Sequence, residues 1–110
     1  MKVVNIEELE VYAPPDHCKI LNGRLIGENV GAKQVRVTFG VAEGGGNASM
    51  HSHPNMEKVY FVIEGELRVK GEKEDVAVKK GMALFIPAGE AHLTYNPGPG
   101  KAEYLVISTT

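Results

Sequence analysis

The chain has 110 residues, a net charge of −2, thirteen glycines, six prolines and one cysteine. That length suits one compact domain, 1–110, which buries about 65% of its unfolded surface on folding. The composition excludes a basic nucleic-acid face, because like-charge runs stop at pairs such as Lys79-Lys80, and a helical membrane span, which needs ~20 consecutive apolar residues.

Residues 1–16 form an N-terminal arm in which Val3-Val-Asn-Ile-Glu-Glu-Leu9 reads as an edge strand or one helical turn, ended by Pro14-Pro15. The arm has no signal-peptide core, so a cytoplasmic location is expected, and Cys18 has no partner for a disulfide. His17 and Cys18 read as incidental at a strand start. Cys18 to Ile26 reads as a hairpin about Asn22-Gly23, a pair suited to a type I′ turn. Val35, Val37, Phe39 and Val41 alternate on one face of a strand. Gly44-Gly45-Gly46 reads as a flexible turn and lacks the Lys-Ser/Thr of a phosphate loop. Val59–Ile63 is an apolar strand, with Leu67–Lys70 as its hairpin partner. Short strands follow at Val76–Val78, Met82–Ile86, after His92 and at Tyr104–Ser108, and Asn96-Pro-Gly-Pro-Gly100 is a surface loop. Nine or ten short strands with turn signals every 8–12 residues predict an all-β barrel or sandwich.

The chemistry concentrates in His51-Ser-His53, followed by Glu57 and Lys58, and in His92. An i, i+2 histidine pair on a strand shares one face, with Met50 out of phase, and neutral imidazole is the commonest protein metal ligand. The stretch 45–65, with Gly45, His51, His53, an acidic residue and Gly65, resembles the first cupin motif. The stretch 81–96 matches the second at Gly81, Pro87, Gly89, His92 and Asn96.

The resemblance implies a double-stranded β-helix barrel of jelly-roll topology, with His51, His53 and His92 as ligands to a divalent transition metal. Iron, manganese, nickel, cobalt and zinc all accept such donors. A fourth, acidic ligand is expected, and two counts disagree about it. Spacing from His53 selects Glu57; spacing back from Gly65 selects Lys58. One residue of slip reverses the face, so three readings stay open: a bulge turns Glu57 inward, the metal has three histidines alone, or Lys58 points inward and repels a cation. Tyr60, Phe39, Thr94 and Lys58 are candidates to line a small-molecule pocket, while Asn96 is expected to brace the barrel mouth. The resemblance then implies a metal-dependent dioxygenase, isomerase or decarboxylase acting on a small organic molecule. The alternative is a non-catalytic binding or sensor module, possibly metal-free, whose Lys58 binds an anionic ligand. A homodimer is expected, with Val3, Ile6, Leu9 and Val11 supplying a strand for exchange.

Overall fold

Lys58 to Glu64 shows how alternation builds this molecule. Tyr60 and Val62 are buried, and Phe61 between them is exposed. The same period of two runs through Leu67 and Val69, His92 and Thr94, and Ala102 and Tyr104. A computed structural model describes residues 1–110 and contains eight strands: β1 His17–Ile26, β2 Val35–Ala48, β3 Lys58–Glu64, β4 Glu66–Gly71, β5 Asp75–Lys79, β6 Ala83–Ile86, β7 His92–Tyr95 and β8 Ala102–Thr109. All pair antiparallel in the order β5-β4-β7-β2-β8-β3-β6, with β1 on β2, and the sheet curls into a nearly closed jelly-roll barrel. Inward residues of seven strands form one core, including Ile20, Ala42, Tyr60, Val62, Leu67, Val78, Ile86 and Tyr104. No helix is long and apolar enough to cross a membrane.

Two expected turns lie inside strands, so eight strands replace nine or ten. Asn22-Gly23 sits in the middle of β1, because the arm crosses there instead of a hairpin forming. Tyr12 and Asn22 exchange backbone hydrogen bonds of 2.8 Å each, and a Cβ on Gly23 would stand 3.0 Å from Leu9 Cδ1. Gly44–Gly46 belong to β2, which leaves β8 after Ala42 and meets β7 at Asn47. Gly45, at φ +86°, supplies the bend that carries one strand between two partners. In the arm, Ile6–Glu8 forms one 3-10 turn capped by Asn5.

On β2 the placing of Phe39 in the pocket is a further correction. Val35, Val37, Phe39 and Val41 look outward, and Arg36 and Thr38 look into the barrel. The pairings fix this: Arg36 opposes Ser108 and Thr38 opposes Val106, in phase with inward Tyr104. The outward face stays apolar across β1, β2, β3 and β6, leaving Leu21, Val35, Phe61 and Phe85 at 36–55% exposure.

Candidate functional site

The two histidine segments are joined by their backbones. His51 N–H donates to His92 O and His92 N–H to His51 O, both at 2.9 Å, and Gly89 N–H donates to His53 O at 2.9 Å. The Pro87-Ala-Gly89 turn, with Gly89 at φ +84°, therefore seats the first segment as well as aiming the second. Asn96 is consumed in support. Its Nδ2 donates to Ala42 O and Gly100 O, and its Oδ1 accepts from Gly98 N–H, all within 2.9 Å.

The imidazoles gather at one place. The His51 ring centre lies 5.1 Å from that of His53 and 4.5 Å from that of His92. His51 Nδ1 donates to Ser49 O and His92 Nδ1 to Glu90 O, each at 2.9 Å. In each neutral ring the proton is thus placed on Nδ1, and Nε2 is left as the acceptor. Lys58 Nζ lies 3.3 Å from His51 Nε2 and donates to that lone pair. His92 is 3% exposed, and its Nε2 is buried without a partner.

Of the three readings for the acidic position, the third matches the geometry. Lys58 is in phase with Tyr60 and Val62, sits between Ser108 and Ile86 on neighbouring strands, and faces the lumen. Glu57 is exposed outside it; its backbone exchanges hydrogen bonds with Thr109. No bulge precedes β3 to turn it inward. Of the expected set, the three imidazoles come together and the carboxylate of Glu57 stays outside. No group of three or more His, Cys, Asp or Glu side chains has the geometry to hold a metal ion, and an amine occupies the lone pair of one expected donor. In this arrangement the histidine cluster faces an ammonium where the motif calls for a carboxylate.

The site frames a cavity of about 370 Å³, lined by His51, His53, Lys58, Tyr60, Thr94 and Tyr104, with the arm residues Tyr12, Asp16 and His17. Phe39, expected here, is absent from the lining, because it lies on the outward phase of β2. Sequence reading missed Arg24 and Arg36, which also line the cavity. For Arg36 the polar phase it shares with Thr38 was the available signal, masked by the regular apolar phase next to it; Arg24 meets them only through the β1–β2 pairing. His17, read as incidental, lines the mouth with Nδ1 bonded to Pro15 O at 2.7 Å. His92 faces a separate cavity of about 320 Å³ between β4, β5 and β6, so the histidine cluster is a wall between two spaces.

Burial governs the electrostatics. It lowers the Lys58 ammonium below its ordinary pKa, and it lowers His51 and His53 with help from the Lys58 charge. Burial of the phenols pushes Tyr60 and Tyr104 up. Desolvation takes His92 down to about 4, with His51 and Lys58 adding to the effect. Its folded value thus lies below the unfolded value near 6.5, so the unfolded chain binds the extra proton between these limits. Stability is full above pH ~6.5 and falls as pH drops toward 4, by about 3 kcal/mol for His92 alone. Urea unfolding with chelator present should show this loss between pH 7 and 4.5, and His92→Gln should flatten it. An unchanged slope in that variant would assign the loss elsewhere.

Comparison with known proteins agrees with this architecture. A family model described as "Cupin domain" matches residues 37–108. The chain is 29% identical over 63 residues to a protein of Thermotoga maritima named an oxalate-binding protein, covering 57% of this chain and 52% of that one. The chain spans about half the length, or less, of the curated relatives it matches. Among solved structures, the polyketide cyclase RemF of Streptomyces resistomycificus superposes with a TM-score of 0.88 at 24% identity, over 99% of this chain and 79% of that one. A predicted oxalate decarboxylase of Thermotoga maritima does so at 0.87 and 21%, over 98% of each chain. These two likenesses speak to the fold alone. With the family match extending over most of the chain, from β2 into β8, this chain belongs to the cupin family.

Proposed function

We propose that the chain is a small-molecule binding cupin whose lumen takes a small organic anion, with Lys58 as the principal recognition group. The observation that carries this is the inward Lys58, 3.3 Å from His51 Nε2 and in no ion pair. Burial lowers its pKa because nothing there compensates the charge. A carboxylate would reverse that penalty and form a charge-assisted hydrogen bond. Tyr60, Thr94 and Ser108 offer hydroxyls beside it, and the relative named as oxalate-binding points the same way. The metal-dependent enzyme that the motifs imply requires Lys58 to leave the histidines, and the geometry works against it.

Calorimetric titration with short carboxylic acids and their neutral amides tests this reading. Acids should bind and amides should not. Lys58→Ala should weaken binding by at least about 10-fold with an unchanged melting temperature, as loss of a hydrogen bond to a charged group implies. Unchanged affinity in Lys58→Ala would refute the assignment.

The outward apolar face supports a homodimer. A second copy would cover Leu21, Val35, Phe61 and Phe85 at once, and a 110-residue chain has limited core of its own. Light scattering at micromolar concentration should give twice the chain mass, and Phe85→Glu should halve it. A monomeric wild type would remove this proposal.

A further inference from the structure

Lys58 is not the only cation facing the lumen. Arg24 and Arg36 line the same cavity, and neither forms an ion pair. The Nε of Arg24 is buried without a hydrogen-bond partner. Asp16 is the one carboxylate in the lining. Glu28 shares a neighbouring cleft with both arginines and pairs with neither. A half-buried guanidinium left unpaired in a folded protein is costly unless something absent from the free chain completes it.

Strand register places these charges. Lys58 on β3 opposes Ser108 on β8, and Ser108 opposes Arg36 on β2. The next row runs Tyr60, Val106, Thr38 and then Arg24 on β1. Each strand step is 4.7–4.9 Å, so the Lys58 and Arg36 backbones stand about 10 Å apart across one strand. Both side chains rise from the concave face, with Ser108, Thr38 and Tyr60 between them. The lumen therefore has two cationic poles, an amine at the histidine wall and a guanidinium pair toward β1.

Resting on the anion-binding reading above, we infer that the ligand is a small organic dianion, a dicarboxylate, whose second carboxylate is held by Arg24 and Arg36. The guanidinium fork suits bidentate capture of a planar carboxylate, and the Lys58 ammonium serves as a point charge for the other end.

The test compares dicarboxylates of increasing length (malonate, succinate, glutarate) with their monoamides by calorimetry. In the wild type, the best dicarboxylate should bind at least about 10-fold tighter than its monoamide. In Arg24→Met/Arg36→Met that preference should fall below about 3-fold, because methionine keeps much of the stem and drops the charge. Arg24→Lys/Arg36→Lys should restore part of it. Melting temperatures identify any variant that fails to fold, and the lysine pair then carries the comparison through a reduced preference. Equal binding of dicarboxylate and monoamide by the wild type, or a full preference surviving in the methionine variant, overturns the second pole and leaves Lys58 recognition standing. No binding of either ligand by the wild type overturns both.

Discussion

Lys58→Glu is expected to raise the affinity of the histidine cluster for zinc or cobalt by at least about 100-fold. The argument begins with the contact between Lys58 Nζ and His51 Nε2 at 3.3 Å. A metal ion must take that lone pair, which places a dication within about 5 Å of the amine. Unrelieved, the repulsion between charges of +2 and +1 at that distance is about 7 kcal/mol at an effective dielectric of 20. The side chain escapes most of it by losing its proton or by rotating away. Leaving about 3 kcal/mol as the cost of that escape gives the 100-fold figure. Glutamate removes the repulsion and adds an oxygen donor on the same inward phase. The other donors are already prepared, since His51 and His92 hold Nδ1 on carbonyls and His92 Nε2 has no partner. Competition against a chromogenic chelator measures the affinities, and the visible spectrum of bound cobalt reports the ligand set. Equal affinity in wild type and variant would show that Lys58 does not guard the cluster.

That experiment turns on one residue of register, and register is where sequence reading stops. His51, His53 and His92 were legible because their motif spacing is local, and the pairing of His51 with His92 brings two of them together directly. The turn residues Pro87 and Gly89 were legible for the same reason. Glu57 and Lys58 were not separable, because the choice depends on whether β3 carries a bulge before Tyr60, and that is set by its pairing with β6 and β8. The β2 error has a similar origin. The Val35, Val37, Phe39 and Val41 phase is the more apolar, so Phe39 reads as facing the pocket. A barrel with an apolar outer sheet has two such faces, and only the partner strand decides which one is inside. Arg24 and Arg36 stayed hidden because they come together through β1–β2 pairing across a long connection. Asn22-Gly23 misled because its local turn preference was overridden by the arm crossing at Leu9 and Tyr12.

Gly65→Ala is expected to destabilise the fold by more than about 3 kcal/mol, whereas Gly81→Ala should cost only about 1 kcal/mol. Both glycines hold the left-handed conformation, Gly65 at φ +78° and Gly81 at φ +81°, so both alanine variants carry the same conformational penalty. Their surroundings differ. A Cβ on Gly81 meets nothing within 4 Å, while one on Gly65 collides with Lys101 O and stands 3.0 Å from Ala102 Cα. Both contacts are backbone, so no side-chain rotation relieves them. Ala102 is fully buried and opens β8, and the β3–β8 ladder already shifts register between Val62 and Glu64. Relief must therefore move the start of β8, and with it Tyr104, which lines the cavity two residues on. Urea unfolding of the two variants isolates the collision, because the shared strain cancels in their difference. Anion titration of Gly65→Ala under folding conditions should also show weakened binding that Gly81→Ala lacks. Equal midpoints for the two variants would mean that β8 yields at Lys101 without cost, and the strand that carries Tyr104, Val106 and Ser108 into the lumen would then be looser than its pairing implies.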